Sequence, residues 1–191
     1  MFNLSTKQSV AVAVVFSLVL WATRGQHVAS LFSLPDATWA ISFMAGFLFG
    51  PLIFAIVLAQ AFLIDYLAMG SHLFNLAYLA LLPAYLALYF AGKWFRGQYD
   101  KQSFALGAFA LSFVGGVAIC EFISSGSFYF QKSTASISGF VELFGQYFFD
   151  NLFFAFCYVV VSILAFYLLV GATNKKLALA RSITSPWRTF L

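Results

Sequence analysis

Thr23-Arg-Gly-Gln-His-Val-Ala-Ser-Leu-Phe-Ser-Leu-Pro-Asp-Ala-Thr-Trp-Ala40 lies between two apolar runs and carries Arg24, His27 and Asp36. Such side chains are expensive in hydrocarbon, so the stretch reads as a connection at a membrane surface. Pro35-Asp36 marks where one element stops and the next begins. The fold class follows from what that reading demands on either side: apolar segments that cross a bilayer.

Composition meets the demand. Hydrophobic residues make up 63% of the 191 residues and charged residues only 8%, where soluble domains carry about 25% charge. The chain reads as an integral membrane protein, and its length is expected to leave no room for a separate soluble ATPase domain. Its 26 Phe and 9 Tyr suit lipid contact and aromatic packing. The formal charge of +4 comes from basic residues dispersed among connections, which argues for membrane topology and against nucleic acid. Cys120 and Cys157 both lie in apolar runs without ligand spacing, and so read as buried free thiols rather than a disulfide or zinc pair.

Outward from the opening stretch, the sequence predicts an all-α integral membrane protein forming a single transmembrane domain over residues 1–191. Six spans are expected, near 9–23, 37–49, 52–69, 75–92, 104–124 and 152–170, with an amphipathic helix near 139–151. The first run follows Lys7 and has the outline of a signal peptide. Arg24 directly after it, and the lack of a small-x-small cleavage site, favour a retained span. Ala13 and Ser17 in that span form a small-xxx-small pair suited to close helix approach. The second run is short for a bilayer and ends in Gly50-Pro51, a tight turn, with Gly46 and Gly50 offering a close-packing face. Asp65 sits near the end of the third span, close enough to the interface to meet water or Arg24. Pro83 should kink the fourth span, Gly115-Gly116 should permit close contact in the fifth, and Ser124-Ser-Gly-Ser127 should end it.

Placing both termini in the cytoplasm puts eight of ten basic residues inside: Lys7, Lys93, Arg96, Lys101, Lys175, Lys176, Arg181 and Arg188. Only Arg24 and Lys132 then lie outside. With that orientation the remaining charged residues and histidines, apart from Asp100, belong to the outer half, among aromatic residues that include Trp39, Tyr78, Tyr129 and Tyr147. This pattern describes an amphipathic pocket open to the outside. Glu142, Gln146 and Asp150 recur at helical spacing and share one face. No Gly-x-Ser-x-Gly, His-Glu-x-x-His or phosphate-loop motif occurs, so no catalytic residue is assigned.

Particular residues carry a family resemblance. Thr23-Arg24, His27, Ser33-Leu-Pro-Asp-Ala-Thr-Trp-Ala40, Phe43-Met-Ala-Gly-Phe47, Ala77-Tyr-Leu-Ala-Leu-Leu-Pro-Ala-Tyr85 and Gly92-Lys-Trp94 resemble the BtuM-like cobalamin substrate-binding (S) components of energy-coupling-factor transporters. The resemblance covers about the first half of the chain. It implies a six-helix S-component-like bundle in the cell inner (cytoplasmic) membrane, binding cobalamin or a related corrinoid at the outer face as transported ligand, with no intrinsic cofactor. Its implied partners are the lipid bilayer and a coupling subunit with ATPases on separate chains. The family commonly places a cobalt-coordinating cysteine before the fourth span, where this chain reads Gly70-Ser-His-Leu-Phe-Asn-Leu76.

His72 falls close to that position and is a competent metal ligand, so it is the candidate for axial cobalt coordination. The ligand contacts expected alongside it are Arg24, His27, Asp36 and Tyr78, with Glu142, Gln146 and Asp150 as a lid toward the corrin amides. Tyr85 reads as packing. The alternatives are a related binder of a different small compound, a small intramembrane enzyme using Glu121, Asp150 and His27, and a non-catalytic scaffold.

Overall fold

A computed structural model describes residues 5–24, 35–73, 75–101 and 106–184, with side chains 71, 72, 100 and 169–184 outside the description. Every regular element among the described residues is helical. In chain order these are α1 (Thr6–Arg24), α2 (Thr38–Leu48), α3 (Pro51–Met69), a 3₁₀ turn (Gly70–Leu73), α4 (Leu76–Leu79), α5 (Leu81–Asp100), α6 (Leu106–Tyr129) and α7 (Ile137–Thr184). Five of the helical segments are long and apolar enough to cross a membrane. Their outward surfaces are rich in Leu, Val and Phe, including Leu18, Leu52, Leu111 and Phe153. The chain is a multi-pass α-helical membrane protein.

The short run expected at 37–49 is α2, 11 residues and shorter than a full crossing. Its position explains why it is apolar on all sides. Every residue from Ala40 to Leu48 is buried, and α2 touches α1, α3, α5, α6 and α7. It is the inner post of the bundle rather than a lipid-facing helix. Around it the aromatic core forms, with Phe43 edge-on to Phe113 at 5.2 Å and Phe47 stacked on Phe95 at 5.1 Å.

The closest helix contact joins α2 to α5. A Cβ added at Gly46 would lie 2.0 Å from the Tyr89 carbonyl oxygen, and one at Gly92 would lie 2.0 Å from that of Phe43. The two glycines therefore let the backbones touch across the crossing. Gly46 finds its counterpart in Gly92, not in Gly50, where an added Cβ would meet nothing within 4 Å. Of the Gly115-Gly116 pair only Gly116 is used, its added Cβ falling 2.7 Å from Cβ of Ala91.

Three helix boundaries depart from expectation for local reasons. The fourth span is split into α4 and α5 by a single turn residue, Ala80, which is itself in right-handed helical conformation. Asn75 caps α4 by accepting a 2.8 Å hydrogen bond from the Tyr78 N–H, and a turn at Ala80 separates α4 from α5. Pro83 lacks an N–H and its ring crowds the carbonyl of Leu79, four residues back, so a regular helix cannot run through. The Ser124 to Ser127 stretch does not end α6. Ser124 and Ser127 donate to carbonyls of Glu121 and Ser124 in their own helix, so their hydroxyls are satisfied without breaking it. Finally, the amphipathic segment and the last span are one helix of 48 residues, about 72 Å at 1.5 Å per residue.

Candidate functional site

Side-chain hydrogen bonds tie together the end of α1, the start of α2, the end of α3, α4 and the first turns of α5, and join the end of α6 to α4 and to the first half of α7, so these parts share one end of the bundle. Arg24 is the centre of its polar chemistry. The guanidinium makes a two-point bond to the Asp65 carboxylate, Nε to Oδ1 at 2.8 Å and Nη2 to Oδ2 at 2.6 Å. Its Nη1 faces Asp36 Oδ2 at 2.8 Å, Thr38 Oγ1 at 2.8 Å and Tyr85 Oη at 3.1 Å. Tyr78 Oη donates to Asp65 Oδ2 at 2.7 Å. One cation thus holds two carboxylates from different parts of the chain, in the planar fork geometry that only arginine provides.

The cluster is also a set of ties between elements. Asp36 turns back to accept from the Thr38 N–H at 2.9 Å and from the Thr38 hydroxyl, fixing the start of α2. Thr23 Oγ1 accepts from the Ala37 N–H at 3.2 Å, and Tyr158 on α7 donates to the Pro35 carbonyl at 2.8 Å. The side chains of Arg24 and Asp65 are 9% and 10% exposed, that of Asp36 39%. The Arg24–Asp65 pair is therefore sealed in the bundle, and Asp36 forms its solvent-facing rim.

A second cluster lies between α6 and α7. Glu121 is 1% exposed. Its Oε1 accepts from the Ser125 hydroxyl, one turn on, and its Oε2 accepts from the Asn151 amide at 2.8 Å. Cys120 is buried beside it, and both cysteines are free. Two open grooves occur among the described residues, and the second adjoins the Glu121 cluster through Ser125. One, of about 510 Å³, lies between α4 and α6, with Leu76, Leu79, Ser127 and Phe130 on its walls. The other, of about 350 Å³, lies between the end of α6 and the start of α7, lined by Ser124, Ser125, Tyr129, Lys132 and Tyr147 among others.

No family model matches the chain, and no curated protein matches it. Arg24, Asp36 and Tyr78, expected as ligand contacts, are brought together around Asp65 and line neither groove. Asp65 meets Arg24, and Tyr85, read as packing, is buried with its hydroxyl on Arg24.

Glu142, Gln146 and Asp150 share an exposed face of α7 that lines neither groove, whereas Leu143 and Tyr147 beside them do line one. His27 lies outside the described residues, as does the side chain of His72, whose backbone belongs to the 3₁₀ turn. No group of three or more His, Cys, Asp or Glu side chains able to hold a metal occurs among the described residues.

Asn151, Ser125 and Tyr158 escaped sequence reasoning. Asp150 drew attention as a charge, yet Asn151 is the residue that turns inward, because one step along a helix rotates the side chain by about 100°. The available signal was an amide next to a long apolar run, a position where polar side chains usually bond across helices.

Proposed function

We propose that this protein is a membrane-embedded substrate-binding subunit for vitamin uptake, binding cobalamin or a related corrinoid at its outer face and delivering it inward. One observation carries the reading: Arg24, Asp36, Thr38, Tyr78 and Tyr85, all from the stretches that resemble the BtuM-like S components, join through Asp65 in a single hydrogen-bonded cluster. On this reading α2 is counted as the sixth span and both termini are cytoplasmic. The protein sits in the cell inner membrane, and the Arg24 end faces outward. A coupling subunit and ATPases on separate chains supply the energy.

The roles divide between frame and surface. Arg24 is bonded to both Asp65 and Tyr85, so these three residues hold the site in shape. Ligand contact falls to the groove residues Tyr129 and Tyr147, to the exposed Gln146 and, on the resemblance alone, to His27. His72 is the proposed axial cobalt ligand.

The test is the visible absorption spectrum of detergent-purified protein after incubation with cobalamin and removal of the free vitamin. Retained corrin absorption near one per chain is expected, with a band shift that His72→Ala abolishes. Failure to retain any corrinoid, across several cobalt forms, would transfer the binding reading to a different small compound.

A further inference from the structure

Charge is unevenly distributed along the bundle. The Arg24 end carries five carboxylates, Asp36, Asp65, Glu121, Glu142 and Asp150, against two cations, Arg24 and Lys132, a formal −3 in a chain whose total is +4. Glu142 and Asp150 are exposed and solvated. Among the enclosed groups, the single guanidinium is committed to Asp65 and Asp36, leaving Glu121 as the buried acid without a counter-charge among the described residues. Both its hydrogen-bond partners, Ser125 and Asn151, are neutral. A carboxylate enclosed in this way inside a low-dielectric bundle is costly unless a positive charge joins it.

The surroundings supply what such a charge requires. Glu121 offers two oxygens, Ser125 a hydroxyl oxygen, and Asn151 a carbonyl oxygen after a half-turn of its amide. These are hard ligands with no sulfur or imidazole, suited to a hard cation. A single carboxylate matches a monovalent ion better than a divalent one. A route exists as well, since the groove between α6 and α7 opens onto Ser124 and Ser125, and the Ser125 hydroxyl donates to the Glu121 carboxylate.

We infer that Glu121, Ser125 and Asn151 form a binding site for a monovalent alkali cation, reached through the α6–α7 groove. The ion compensates the buried charge and cross-links α6 to the first half of α7. The site does not depend on the identity of the transported ligand.

The test is thermal unfolding of the full detergent-solubilised chain in lithium, sodium, potassium or N-methyl-D-glucamine chloride at fixed pH and ionic strength. With at least one alkali ion the midpoint should rise saturably, by about 5–10 °C at a hundredfold excess over the dissociation constant. Glu121→Gln should remove the ion dependence. Ser125→Ala, which leaves the charge in place, should raise the concentration needed about tenfold, and it carries the comparison if Glu121→Gln does not fold.

Identical wild-type curves in all four salts would overturn the proposal. So would a full ion response in the Glu121→Gln variant, or a dependence on pH alone, which would assign the position to a proton. No corrinoid enters the measurement, so its failure is distinct from failure of the vitamin-binding reading.

Discussion

The Arg24 and Glu121 clusters place carboxylates at the same end of the same bundle under opposite conditions. Asp65 is neutralised by a guanidinium that meets it at two points, and a phenol fills one further lone pair. Glu121, still less exposed, has only a hydroxyl and an amide. The contrast is between a charge pair that organises the fold and a lone charge that leaves a demand unmet. It follows that the residues most conspicuous in the sequence serve the frame, while the quieter α6–α7 interface retains unspent chemistry.

The sharpest way to break the comparison is Arg24→Ala. Removing the cation leaves Asp65 buried and unpaired, and should cost about 3–5 kcal/mol. Replacing both partners with apolar residues, as in Arg24→Met with Asp65→Leu, should recover much of that loss, because no charge is then stranded. Reversible unfolding in mixed detergent micelles measures both; equal losses for the single and double variants would show that the pair is not the unit.

Tyr78→Phe is gentler. It removes one donor from a carboxylate that keeps its arginine, and should cost about 1 kcal/mol by the same assay. The smallest effect is expected on the other side of the comparison. Glu121→Gln keeps an acceptor for Asn151 and a partner for Ser125 while deleting the enclosed charge, so in alkali-free buffer the midpoint should stay where it is or rise. A drop as large as that of Arg24→Ala would mean that Glu121 is paired as tightly as Asp65 and would erase the distinction.

Much of this architecture was legible in the chain itself. The membrane class followed from apolar content, because no soluble fold can bury so much greasy surface. Topology narrowed the partner of Asp65 to water or Arg24, since alternating helices return residues 24 and 65 to the same end, and the structure chose Arg24. Pro83 marked its span for a kink, and the perturbation appears instead as a one-residue turn at Ala80, where the proline's missing N–H and ring act on the preceding turn.

What the sequence alone determined, then, was the medium, the order of the helices and the end at which polar side chains gather. These depend on hydropathy and connectivity, which are properties of the chain. Only the tertiary structure decided which small residue faces which and which polar residue turns inward. Gly46 rather than Gly50 meets the backbone of α5, α2 stands enclosed instead of facing lipid, and Asn151 rather than Asp150 reaches Glu121. Those choices depend on the rotation of each helix about its axis. A rotation of about 100° separates neighbouring residues, and packing against partners distant in sequence fixes it.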